Sequence, residues 1–492
     1  MASEAPKLSK VEKDQKFDDV VTNVEDAESL NQKIFEENPK EEKLDYSGFS
    51  KKTDPDEIRL VRKMDMYIMI SLWSMYWLNY LDRNAIALAR LSSLEKDLGL
   101  NDTQYQTAVS ILFVGYVLFG VPSNMLITRI KPAPFLCGIM ITWAIISICT
   151  AFSKSFAGLV ATRFFLGVVE APYYPGALFI LSNFYTRTEI ATRIAILYTG
   201  NILATSFAGL IAAGIFELDG KLGFAGWQWL FIIQGSVTGL VAICAYPFLP
   251  NTPSTTRWLT PKERELATSR LLRDKVDEED QGSPLRGLKQ AVADPRVWLF
   301  CLMQNLHLSA NGFKNFFPSV VNTLGFNRTI TLVLTCPPYL IAGVFSVLVS
   351  LTSGRYNERT WHITVCKAIA IVGFALAPAS MNVAVRYVAM CIFTIGTYGV
   401  NSIVLGWAAT VCSQTKEKKA VTIAMMTSIS NASFIYTPYL FRDTDRPRYT
   451  LAMVSMAAFS AACALCAWAM RFILQRQNRT LHEKGSPTKY PY

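Results

Sequence analysis

Apolar positions come in long blocks along this chain, and polar positions collect between them. Each block runs near twenty residues with almost no charge. That length crosses a ~30 Å hydrocarbon layer as a helix, and lipid leaves a spanning segment of this kind no other way to pair its backbone. The blocks predict spans at 66–88, 105–127, 133–152, 156–181, 191–216 and 227–249. After a polar break they predict spans at 297–321, 331–352, 362–381, 386–409, 419–440 and 451–473. The expected fold class is an all-α membrane protein, with twelve transmembrane helices in two six-helix bundles, 66–249 and 297–473. The polar remainder predicts a disordered cytosolic tail over 1–65, a cytosolic linker loop over 250–296 and a cytosolic tail over 474–492. Within the linker, Thr260 before Pro261 predicts a short amphipathic helix running to Arg273.

Composition sharpens this picture. Hydrophobic residues make up 51% of the chain and charged ones only 17%, against roughly 25% in soluble proteins. The net charge of +10 does not point to nucleic acid, because the basic residues flank the apolar blocks. With both termini inside, the inner side receives Arg59, Arg62, Lys63, Arg129, Lys131, Arg187, Arg193, the linker, Arg355, Arg359, Lys416, Lys418 and Lys419. The outer side receives few, apart from Arg442, Arg446 and Arg448 in the last loop, so the bias favours cytosolic termini. The sequons at Asn101 and Asn327 then fall outside as candidate glycosylation sites. Residues 1–60 lack the apolar stretch of a cleavable signal. The cysteines lie mostly inside spans and read as small apolar residues.

Two features hint at an internal repeat: the six-plus-six layout, and a basic element after the second span of each half (Thr128–Lys131 and Ser353–Arg359). Two halves around a midplane site is a common layout of secondary transporters.

Charge inside the apolar blocks carries the chemistry. A centrally placed charge costs roughly 2.5–3.5 kcal/mol on insertion scales, so it marks function by default. The first span contains Asp82 and Arg83, whose side chains point about 100° apart. The fourth contains Arg163 and Glu170, two turns apart on one face. There Arg163 offers a fork to a carboxylate and Glu170 a protonatable group. Pro172 and Pro175 are expected to break this helix near Glu170. Softer candidates are Asn79, Tyr173, His307, Asn311, Lys314, Asn315, Asn401 and Asn431, and the aromatics Tyr116, Tyr174 and Tyr339. Lys367 is expected near the inner leaflet, and Trp227 and Trp229 as interfacial anchors. There is no P-loop, no Gly-x-Ser-x-Gly element and no histidine pair at metal-ligand spacing. The reading is of a non-enzyme without cofactor, driven by a gradient.

The quoted motifs add a resemblance. Asn79-Tyr-Leu-Asp-Arg83, Arg163-Phe-Phe-Leu-Gly-Val-Val-Glu-Ala-Pro172, Gly226-Trp-Gln-Trp-Leu-Phe231, Leu249-Pro-Asn-Thr-Pro253, Asn315-Phe-Phe-Pro318 and Cys336-Pro-Pro-Tyr339 resemble the major facilitator superfamily. More narrowly they resemble its anion:cation symporter branch and the fungal allantoate permease-like family. The resemblance covers nearly all of residues 60–475. It implies a two-bundle rocker-switch fold and proton-coupled import of a small organic anion such as a carboxylate, a ureide or a vitamin like nicotinate or pantothenate. By motif match it implies that Asp82 and Glu170 carry protons, that Arg83 links them, and that Arg163 contacts substrate. The plasma membrane is the expected location. The sequence departs from the family at Ile127-Thr128-Arg129, which lacks an acidic residue, and at Gln234-Gly235, where Glu-Gly is usual. It departs again after Trp407, where an Asn is usual. These departures bear on the substrate more than on the fold. Export of a secondary metabolite, and a nutrient receptor with little transport, are the alternative functions.

Overall fold

The computed structural model describes residues 55–127, 130–275, 284–483 and 490. The 1–54 stretch of the expected tail, and Thr128 and Arg129 of the first basic element, lie outside them. Every regular element among the described residues is helical.

The first span starts earlier than its apolar block predicts. Helix Pro55–Met64 runs through a π-helical turn, Asp65–Met69, into Ile70–Ala89. Spans 2 and 3 follow as Asp102–Ile127 and Pro132–Ala151. Span 4 is split into Phe156–Glu170 and Tyr173–Phe184, because Pro172 and Pro175 cannot donate the backbone hydrogen bonds a continuous helix needs. Spans 5 and 6 are Arg187–Ile215 and Gly226–Ala245.

In the second half, span 7 is Pro295–Ala310, a 3-10 turn at Gly312–Asn315 and Phe317–Asn322. Span 8 is Arg328–Leu334 and Cys336–Arg355, and span 9 is Thr360–Ala379. Span 10 breaks between Val383–Tyr398 and Asn401–Val411. Span 11 is Lys416–Asn431 with short turns after it, and span 12 is Thr450–Glu483, extending well past the predicted block. Eight of these spans are long and apolar enough to cross a membrane by length and composition. Spans 1, 2, 7 and 11 are not among the eight. Spans 1 and 7 carry the charges or the interruption described below.

Packing repeats between the halves. Span 3 packs on 6, 2 on 4, 1 on 5 and 6, and 3 on 4. Adding six to each number gives 9 on 12, 8 on 10, 7 on 11 and 12, and 9 on 10, all of which also pack together. Contacts between halves obey the same rule, since 2 meets 11 as 8 meets 5, and span 1 meets span 7. The chain therefore holds two copies of one six-helix arrangement related by a pseudo-two-fold axis, which places spans 1 and 7 on that axis.

Glycine permits one of these contacts. A Cβ on Gly167 would sit 2.0 Å from the Leu112 carbonyl oxygen, and one on Gly115 would sit 2.5 Å from the Phe164 carbonyl oxygen. Spans 2 and 4 thus approach backbone to backbone, which brings Arg163 and Glu170 inward.

The ends of the halves differ. At the end opposite the long connection, Arg90 pairs with Glu95, Asp102 and Asp443. Gln106 donates to the Phe441 carbonyl at 2.9 Å, the Thr107 and Tyr439 hydroxyls lie 3.0 Å apart, and Arg328 pairs with Asp219. Tyr105 packs edge-on against Phe316, which stacks on Phe441. Of these, Arg90–Asp443, Gln106–Phe441, Thr107–Tyr439, Arg328–Asp219 and Tyr105–Phe316 tie one half to the other. At the opposite end the ion pairs Arg193–Asp65, Lys418–Asp294 and Arg471–Glu358 each stay within one half. Helix Pro261–Lys275 joins the first half there through Lys63–Glu263 and Arg270 with Glu57 and Glu189. Its start has Thr260 as the cap, as expected, and closes as a capping box: the Glu263 backbone donates to Thr260 Oγ1, and the Thr260 backbone to Glu263 Oε2.

Two expectations are corrected. Trp227 is 1% exposed and its indole donates to Asp97 at 2.8 Å, so it locks the end of the first half and is no interfacial anchor. Lys367 is fully buried between spans, its Nζ 2.9 Å from His307 Nδ1, so its amine is held inside the protein and does not reach out to headgroups. All ten cysteines are free, including Cys463 and Cys466, whose C-x-x-C spacing falls within span 12.

Candidate functional site

Asp82 and Arg83 diverge as their spacing requires. Asp82 turns towards spans 3 and 6, where Trp143 Nε1 donates to its Oδ2 at 2.6 Å and Thr238 Oγ1 at 3.1 Å. Arg83 turns towards span 4. Its Nε donates to Glu170 Oε1 at 2.8 Å, and its Nη2 reaches the same oxygen. The rings of Tyr80 and Tyr116 flank its guanidinium at 4.9 and 5.2 Å. Such cation–π contacts stabilise a charge held away from water.

Arg163 is 1% exposed, and its Nε and Nη1 have no hydrogen-bond partner among the described residues. Asp82, Arg83 and Glu170 lie within its electrostatic reach. A buried guanidinium with unused donors is costly, and the seven-residue spacing from Glu170 puts both groups on one face. Asp82 Oδ1, Asn79 Nδ2 and both polar atoms of Gln234 are likewise buried and unpartnered.

The second half contributes Lys314, from the turn that interrupts span 7. Its ammonium lies 4.1 Å over the Phe434 ring and within electrostatic reach of Arg83 and Glu170. The turn exists because Asn311 caps the preceding helix: its backbone and side-chain amides both donate to the His307 carbonyl. Asn401, at the break in span 10, accepts from Gln304 at 2.7 Å and donates to the Tyr198 hydroxyl at 3.3 Å, joining the halves near mid-depth. Tyr80, Tyr174, Tyr198 and Tyr398 approach one another there and are half-buried. The site is a buried cluster beside these tyrosines, where the two halves meet. It holds three cations (Arg83, Arg163, Lys314) and two carboxylates (Asp82, Glu170), an excess of one positive charge when all are ionised. An excess of cations in a low-dielectric space favours a bound anion.

Other sequence candidates fall elsewhere. Tyr173 is buried, and its hydroxyl is spent on the Leu72 carbonyl at 2.8 Å. Asn431 donates to the Thr427 carbonyl of its own helix. Asn101 and Asn327 are exposed and cap the helices that follow, accepting from Gln104 and Ile330. Sequence reasoning missed Trp143, Thr238, Gln304, Tyr80, Tyr198 and Tyr398. Of these, only Gln304 and Thr238 carried a signal, as polar residues within apolar blocks.

Comparisons with known proteins agree with this architecture. Residues 72–438 match the model of the Major Facilitator Superfamily. The chain is 29% identical over 432 residues to the major facilitator-type transporter hxnP of Emericella nidulans, covering 86% of this chain and 87% of that protein. It is 30% identical over 494 residues to the MFS-type transporter cnsO of Penicillium expansum, covering 96% and 92%. The D-xylose–proton symporter structure superposes with a TM-score of 0.65 at 14% identity, covering 82% of this chain and 97% of that one. A helical chain of paired six-span halves, matched along most of its length by this family's model and by transporters, is a multi-pass membrane transporter and no enzyme: it belongs to the major facilitator superfamily.

Proposed function

We propose that this transporter imports a small organic anion with protons, as a member of the anion:cation symporter branch and its allantoate permease-like family. The observation that carries the proposal is Arg163: a buried guanidinium with two unused donor nitrogens, in a cluster that has one more cation than carboxylates. An anion completes that arrangement. Asp82 and Glu170 are the proton carriers, since protonating either raises the local positive charge and so favours anion binding. Arg83 links them, being hydrogen-bonded to Glu170 and adjacent to Asp82. Lys314, Asn401 and the tyrosines contribute from the facing walls.

In this reading the long connection and both termini face the cytosol of a cell whose plasma membrane holds the protein. The joined ends then seal the outside, leaving the site open inward. Asn101 and Asn327, exposed on the outer side, are its glycosylation sites. Protonation and anion binding occur with the site open outward. The halves rock about the axis, the proton leaves to the more alkaline cytosol, and the anion follows.

Uptake of labelled carboxylates, ureides and vitamins into expressing cells tests this reading. One compound whose uptake rises at acid external pH and collapses with an uncoupler supports it. No uptake of any anion by protein shown to be at the surface overturns it in favour of export or a receptor role.

A further inference from the structure

The pseudo-two-fold axis relates spans 1, 3 and 6 to spans 7, 9 and 12. In the first half that junction holds Asp82 between Trp143 and Thr238. In the second half the same junction holds two nitrogen bases. Lys367 Nζ on span 9 lies 2.9 Å from His307 Nδ1 on span 7, and both side chains are buried, at 0% and 1% exposure.

The groups facing this pair offer it no counter-charge. Span 9 adds the thiol of Cys366, and span 12 adds the thiol of Cys463. Among the described residues, Lys367 is the charged group that His307 meets. Among the described residues, no carboxylate faces the pair from spans 7, 9, 10, 11 or 12. Asn311, one turn beyond His307, meets the second ring nitrogen at 3.4 Å.

Two nitrogens in hydrogen-bond contact need one proton between them. Two full positive charges at this separation, away from water, repel too strongly to coexist. The pair therefore has two accessible states: a neutral amine donating to a neutral imidazole, and the same pair with one added proton.

We propose that His307 and Lys367 form a second proton-binding site of this transporter, placed in the second half where Asp82 stands in the first. The added proton, taken from water, bonds to the free lone pair of Lys367 Nζ, so that an ammonium donates to Nδ1, and it returns to water with no other bond made or broken. The site bears on the cycle through position. His307 lies in the last turn of the helix whose broken continuation carries Lys314 to Arg83 and Glu170, so a charge gained at the pair is felt at that cluster. The pair is independent of which solute is carried.

The chain has three histidines, so nitrogen NMR of purified protein with labelled histidine resolves His307 from His362 and His482. The signal lost in His307→Asn is expected to titrate reversibly in one step, with its midpoint displaced by at least about one pH unit in Lys367→Met. If His307→Asn does not fold, His362→Gln and His482→Gln assign the signal by elimination. A His307 signal that stays fixed from acid to alkaline pH overturns the proposal and makes the pair a static hydrogen bond. A His307 titration that Lys367→Met leaves unmoved overturns it equally.

Discussion

Arg83 and Glu170, 87 residues apart in sequence, share a hydrogen bond of 2.8 Å in the interior of the first half. Each neutralises the other where water cannot. Breaking such a pair by removing one partner costs about 3–5 kcal/mol, because the survivor is left charged and buried. Glu170→Gln is expected to lose accumulation of the solute against its gradient by on the order of a hundredfold. Downhill exchange of labelled for unlabelled solute should persist. Measuring both in the same vesicles checks this, and retained accumulation would remove Glu170 from the coupling step.

Arg163 has a different role from Arg83, since it has no carboxylate in hydrogen bond. Lysine keeps the charge but loses the planar fork. Arg163→Lys should weaken solute binding at least about tenfold, roughly 1.4 kcal/mol, with the protein still folded. Binding to purified protein, compared with its melting temperature, separates the two effects.

Gly167 tests the packing that delivers these groups. A methyl at this position would meet the Leu112 carbonyl at 2.0 Å, so spans 2 and 4 must separate. Gly167→Ala is expected to cost about 1–3 kcal/mol, read as a lower melting temperature in detergent. An unchanged melting temperature would show that the two spans yield freely.

Much of this arrangement was legible in the chain. The twelve blocks, the break after Glu170 and the helix start at Thr260 follow from local rules that act over one or two turns. Asp82, Arg83, Arg163 and Glu170 stand out because charge is scarce in apolar blocks. The partners were not legible. Trp143 looks like any membrane tryptophan, and its bond to Asp82 depends on how spans 1 and 3 are rotated against each other. Lys367 looked interfacial because its depth is close to one end. Only the placement of His307 on a different span makes burial tolerable. Trp227 was misjudged for the same reason, its partner Asp97 lying 130 residues away.

Outside the spans, Asp294 links the start of span 7 to span 11. Burial pushes its carboxyl up, but hydrogen bonds from Arg296 and Lys418 outweigh this and hold it at about 2. A carboxyl held low stabilises the fold above its unfolded value of about 3.9, and that contribution disappears as pH falls towards the folded value. Asp294→Asn should therefore lower the melting temperature at neutral pH, by about 2 kcal/mol in stability. The gap between variant and parent should close as pH falls from about 4 towards 2. A gap that is the same across that window would mean that the charge is not what Lys418 and Arg296 hold.

The contact between Thr107 and Tyr439 joins the halves at the sealed end, with hydroxyls 3.0 Å apart. Cysteines at both positions, bridged by a short bis-thiosulfonate that joins each through a disulfide, should fix the site open to the other side. Transport should stop and return on reduction. Transport that continues through the bridged protein would show that these ends need not part.

The central claim is that solute and proton move inward together. The direct measurement is internal pH in vesicles holding the purified transporter and a pH-sensitive dye, when a transported anion is added outside. The account predicts acidification of the interior that tracks anion entry and disappears in Glu170→Gln. Anion entry at an equal rate with no acidification would contradict it.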